Sequence, residues 1–219
     1  MSLTTIFIDL DDTIYPHTSG VWSRIRSRID QYMREVMGFA PVEADNLRRE
    51  MVERYGTTLR GLQTIYHVDE AAYLAYVHDV PVEDLLQPNP SLRQTLQAIP
   101  QRKLIFTNAD INHARRVLIA MNMLDCFEGI IDIHRLAPYC KPMPEAYHTA
   151  LEIAGESDPN RCLLVDDLPV NLDAARSLGF QTLLVRNDGR STSIENDHVV
   201  IWDLTELPQV IDARGVVRS

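Results

Sequence analysis

Residues 4–13 read TTIFIDLDDT: a short β-branched and aromatic run that ends abruptly in acid. The run predicts a strand, too apolar to leave one face in water. Strand alternation puts Asp9 and Asp11 on one side and Leu10 on the other. Two carboxylates so close repel each other unless one is protonated or a cation lies between them. A hard cation such as Mg2+ suits oxygen donors of this kind. The competing reading is an acidic turn that caps a helix, a common use of Asp and Thr.

Five further runs resemble the first one: residues 103–107 (KLIFT), 129–133 (GIIDI), 161–165 (RCLLV), 181–185 (QTLLV) and the weaker 198–201 (HVVI). Helical patterns separate most of them, which predicts an α/β fold with a Rossmann-like, doubly wound parallel sheet. Asp110 can cap a helix over 111–121, Pro144 opens one that Gly155 stops, and another follows Asp167. Residues 15–87 differ. They hold no convincing strand but helical periodicity over 21–37, 43–55, 59–66 and 70–78, so a small all-helical cap is expected after the first strand. The division expected is therefore 1–14 with 88–219 as α/β core and 15–87 as cap. Residues 214–219 are expected to fray.

Composition narrows the function classes. The chain has 219 residues, 45 % hydrophobic, with 31 acidic and 21 basic side chains, a net charge of −10. That balance argues against a nucleic-acid polymer as partner, which would need a basic face. A small phosphorylated metabolite remains open, because a bound cation reverses the local field. No apolar stretch approaches the roughly 20 residues of a membrane span. The first residues lack a basic leader, and the three cysteines are odd in number without CxxC spacing; both point to a cytoplasmic protein with reduced thiols. The seven histidines show no metal spacing and read as surface or cap residues. Nothing in the sequence reports an oligomeric state.

Ligands of open parallel sheets bind at the carboxyl ends of strands, so the groups that follow strands should converge. After KLIF comes Thr107-Asn108-Ala109-Asp110, a hydroxyl and backbone N–H groups suited to phosphoryl oxygens, or to capping. Lys141 in PYCKPMPEAY can neutralise charge on a transferring phosphoryl group, or be an ordinary surface lysine. Asp166-Asp167 ends the apolar RCLLV, where two carboxylates are costly without a cation. Asn171 can orient them, and Thr13 completes the first cluster in a supporting role.

In order, FIDLDDT, LIFTN, CKP and LLVDDLPVN resemble the four motifs of the haloacid dehalogenase-like (HAD) hydrolase superfamily, and none is missing. The resemblance implies Asp9 as nucleophile and Asp11 as acid/base, with Thr107 and Lys141 binding phosphate and Mg2+ as cofactor. It implies Asp9, Asp167, Asp166 and the backbone carbonyl of Asp11 as metal ligands, Asp166 acting directly or through water. The dehalogenase branch lacks the second Asp of DxD, so Asp11 favours phosphate-ester chemistry. The helical insert resembles the cap of the first capped subfamily. Tyr15-Pro16 and the run TLRGL at 58–62 resemble the pyrimidine 5′-nucleotidase-like branch, which implies nucleoside 5′-monophosphates as substrates and Arg60 as a contact to them. Two alternatives stay open: a sugar-phosphate phosphatase or phosphomutase on the same fold, and a non-catalytic phosphate-sensing module.

Overall fold

The computed structural model describes residues 2–186, 194–195 and 198–211. The expectation for 214–219 lies outside them. The apolar runs become β1 (Thr5–Ile8), β2 (Arg102–Phe106), β3 (Gly129–Ile131), β4 (Cys162–Asp166), β5 (Gln181–Val185) and β7 (His198–Ile201), with a two-residue β6 (Ile194–Glu195) between the last two. The sheet order is β3-β2-β1-β4-β5-β7-β6. Neighbours pair in parallel except β6 with β7.

Why the strands are so apolar is visible in which side each residue takes. Ile6, Ile8, Ile105, Leu163, Val165 and Leu183 pack into one hydrophobic layer, with the helix Ile111–Ala120. Phe7, Leu104, Phe106, Leu164 and Leu184 pack into the opposite layer, with the helices Pro144–Ala154 and Pro169–Ser177. A sheet covered on both faces has no solvent side to keep polar.

Between β1 and β2 the chain is helical: Val21–Gln31, Pro41–Tyr55, Thr58–Tyr66, Glu70–Val77 and Val82–Leu85, before Pro90–Ala98 leads into β2. The single helix expected over 21–37 passes into a π-helical turn at Tyr32–Val36. That turn puts Tyr32 edge-on to Tyr73 and Tyr76, at 5.0 and 5.2 Å between ring centroids. This segment has its own buried cluster around Met33, Met51, Leu62 and Tyr73. Its two ends do not belong to that cluster: Val21, Ile25, Val82 and Leu86 pack against the sheet.

β3 also ends sooner than residues 129–133 suggested. The Asp132 carboxylate accepts from the N–H groups of Arg135 (3.2 Å) and Ile111 (3.1 Å), so it caps a short helix, Ile133–Leu136. All three cysteines are free and buried.

Candidate active site

Register brings the strand-ending groups to one edge. Ile8 pairs with both Ile105 and Val165, so Asp9, Thr107 and Asp166 leave the central strands nearly side by side. Asp9 and Thr107 line a cavity of about 310 Å3 between the sheet edge and the helical segment, while Asp166 is fully buried.

Asp9 is buried, and its Oδ1 accepts from Lys141 Nζ at 2.7 Å. The same ammonium donates to Asp166 Oδ2 at 2.7 Å, and is itself 1 % exposed. Asp166 also accepts from Leu168 N at 2.9 Å and from Asn171 Nδ2 at 3.0 and 3.1 Å. Asp167 makes no side-chain hydrogen bond among the described residues. One oxygen each from Asp9, Asp166 and Asp167 lies within 4.8 Å of the others.

This cluster is electrostatically crowded. Burial, with Asp166 close by and only Lys141 opposing, pushes the Asp9 carboxyl up to about 7. Burial, then Asp9 and Asp166, push Asp167 up to about 8. Burial alone would lower Lys141, but the two carboxylates hold it well above the usual lysine range. Three carboxyl groups share one ammonium and so hold protons unusually tightly, and hard oxygen donors of this kind fit a divalent cation such as Mg2+ that would take the protons' place.

Asp11 corrects an expectation. Asp9 and Asp11 do not share a side, because β1 ends at Ile8 and the chain turns, with Asp12 in the left-handed region at φ 58°. Asp11 therefore meets the opposite layer. Its Oδ1 accepts from the Tyr15 hydroxyl and lies 2.8 Å from His113 Nε2. Its carboxylate is outside the Asp9–Asp166–Asp167 group. Burial would raise Asp11, but His113 and the Tyr15 hydroxyl outweigh it and hold the carboxyl below its ordinary value. Tyr15, by burial and by Asp11 itself, is held well above the usual phenol range and stays a donor.

The histidines also differ from the surface reading. His113 is buried on the first turn of Ile111–Ala120, and His78, also buried, stacks on it at 4.5 Å and 13°. His78 Nδ1 lies 2.5 Å from Asp110 Oδ2. Asp110 also caps the helix by accepting from Asn112 N (2.6 Å) and His113 N (3.0 Å). The one sequence signal was Asp110 as a cap three residues ahead of His113.

The remaining residues separate into those at the cleft and those holding it. Thr107 lines the cleft, its hydroxyl accepting from Ala109 N at 3.0 Å. Asn108 also lines it, but both ends of its amide are spent on Lys141: Nδ2 donates to the Lys141 carbonyl, and Oδ1 accepts from the Lys141 N–H, each at 2.9 Å. Thr13 is buried, and its hydroxyl finds no partner among the described residues.

Arg60 does not reach the cleft, which corrects its reading as a substrate contact. Its guanidinium is buried and donates to Glu70 (2.5 Å), Gln63 (2.7 Å) and the carbonyls of Ile133 (2.7 Å) and Tyr139 (3.2 Å). It ties the helical segment to the loop that carries Lys141. Gly56 marks a second such tie: at φ 79°, a Cβ there would lie 2.8 Å from Cys140 Sγ and 3.0 Å from the Lys141 carbonyl.

Residues 3–179 match the haloacid dehalogenase-like hydrolase family. The chain belongs to that family. Phosphate metabolism protein 8 of Saccharomyces cerevisiae is 27 % identical over 230 residues, covering 94 % of this chain and 72 % of that protein. Among solved structures, the HAD phosphatase from Thermococcus onnurineus superposes with a TM-score of 0.63 at 19 % identity, over 99 % of this chain and 100 % of that one. The HAD-hydrolase YfnB from Bacillus subtilis, solved bound to magnesium, superposes with a TM-score of 0.61 at 16 % identity, over 97 % and 100 %. Haloacid dehalogenases of known structure share the fold too. At these identities the structural likeness speaks for the HAD fold. No helix among the described residues is long and apolar enough to cross a membrane.

Proposed function

We propose that this HAD hydrolase is a Mg2+-dependent phosphomonoesterase working through an aspartyl-phosphate on Asp9, with small phosphorylated metabolites as substrates. The observation that carries the reading is the split pair at the tip of β1. Asp9 sits against Lys141 and two further carboxylates, while Asp11 faces the same cleft from the other side. Two carboxyl groups in opposed environments suit two different roles.

Asp9 and Asp167 are the carboxylates with most freedom to hold the cation, since three protein donors engage Asp166. When bound, the cation supplies positive charge for the phosphoryl oxygens and for Asp9. An Asp9 oxygen attacks phosphorus and the bond to the substrate alcohol breaks. Asp11 gives the leaving oxygen a proton, then takes one from the water that cleaves the Asp9–phosphorus ester. Lys141 and the Thr107 turn offset charge on the equatorial oxygens. A dehalogenase reading has less support, because a halide leaves as an anion and gives an acid at Asp11 no task in the first step.

The substrate class we favour is nucleoside 5′-monophosphates, pyrimidine ones first. The helical segment lends Trp22, Ile25 and Ile29 to the cleft, an apolar wall with an aromatic ring 37 % exposed, suited to a base. Phosphate release from UMP, CMP, AMP, sugar phosphates and a 2-haloacid control, with Mg2+ and with EDTA, tests this. Mg2+-dependent release from UMP and CMP ahead of sugar phosphates is expected. Equal turnover of sugar phosphates removes the nucleotide assignment. Halide release without phosphatase activity overturns the whole reading.

A further inference from the structure

We propose that Tyr15 and His113 are positioning residues that grip Asp11 by Oδ1 and so direct its transferable proton to Oδ2. The inference rests on Asp11 being the acid/base of a phosphomonoesterase, and adds to that reading how the proton is placed.

The geometry is asymmetric. The Tyr15 hydroxyl and His113 Nε2 both meet the same oxygen, Oδ1. Among the described residues Oδ2 has no hydrogen-bond partner, and Asp11 lines the cleft. His113 Nδ1 is buried and finds no partner among the described residues. An orphan Nδ1 favours the tautomer that keeps the ring proton on Nε2, where it donates to Asp11. With two donors on Oδ1, a proton arriving at Asp11 finds that oxygen's lone pairs occupied and settles on Oδ2. That oxygen is the one able to meet a leaving alcohol.

Both donors are built to stay in place. Tyr15 is 1 % exposed and packs in the sheet's hydrophobic layer. His113 is held through its backbone by Asp110 and through its ring by His78, itself fastened to Asp110. Neither Tyr15 nor His113 meets Asp9, Lys141, Asp166 or Asp167 through any hydrogen bond among the described residues. Their loss should therefore touch proton donation and leave phosphoryl binding intact.

Leaving-group dependence separates this from a merely structural role. kcat/KM covers the steps through release of the alcohol. An alkyl alcohol needs a proton as it leaves, and p-nitrophenol hardly does. Tyr15→Phe and His113→Leu are expected to lower kcat/KM for an alkyl phosphate about tenfold or more, while p-nitrophenyl phosphate changes within about threefold and KM stays near wild type. His113→Gln, which returns an N–H near the Nε2 position, is expected to recover most of the alkyl activity. Comparing two substrates on one preparation cancels any loss of folded protein. Equal losses on both substrates, no loss on either, or a Gln variant no better than Leu overturns the proposal. A wild-type protein that hydrolyses neither ester fails the phosphatase reading itself.

Discussion

The two flanks of the β1 tip carry the same residue type two positions apart, and the fold treats them in opposite ways. On one flank Asp9 is set among Asp166, Asp167 and Lys141, and its proton affinity rises. On the other, Asp11 meets the donors Tyr15 and His113, and its proton affinity falls. The order is the reverse of what a nucleophile and an acid need, and a cation on the first flank and a phosphoryl dianion beside the second would each correct it. The contrast shows that charge is distributed here by layer. Asp9's partner Lys141 lies over the Phe106 ring of one layer, while Asp11's partner Tyr15 packs in the other.

The largest test of that contrast removes the nucleophile. Asp9→Asn is expected to cost at least about a thousandfold in kcat, while the fold persists by circular dichroism. Near-normal turnover would mean the first flank is not where bonds change. Next, Lys141→Met strips the ammonium that Asp9 and Asp166 share. A stability loss of about 3–5 kcal/mol in denaturant unfolding is expected without divalent ions, because Asp9 and Asp166 are left buried and unpaired. A loss below 1 kcal/mol, or about that, would show the carboxylates protonate at little cost.

Asn108→Leu acts one step further out. It removes both amide contacts to the Lys141 backbone, and should cost about 1–3 kcal/mol in the same measurement. It should lower kcat for aryl and alkyl phosphates alike, unlike the Tyr15 and His113 variants. A selective loss on alkyl esters would blur the two flanks.

The smallest effect is on pH. Asp9 and Asp167 stand raised from 3.8 to about 7 and about 8. The folded state therefore binds more protons than the unfolded one between those values, and stability falls as pH rises through that window. Tm in EDTA should drop from pH 5 to pH 8, and Mg2+ should restore more at pH 8 than at pH 5. A Tm that rises over that range would contradict the crowding.

Much of this protein was legible in the chain itself. Near-continuous apolar runs, each ending in a polar cluster, dictate buried parallel strands whose carboxyl ends share an edge. Asp9, Thr107, Asp166 and Asp167 follow from that placement alone, and Lys141 and the HAD membership follow from the order of motifs. The partners of Asp11 did not follow. Whether Asp11 continues the strand's alternation depends on where β1 stops pairing, and whether His113 is surface or site depends on which layer lies across from its helix. Arg60 follows the same rule: residue type shows a cation, while only packing shows that Glu70 and two carbonyls already claim it. Local spacing reports what leaves a strand's end. What meets it there comes from elements remote in sequence, and only the tertiary structure brings them together.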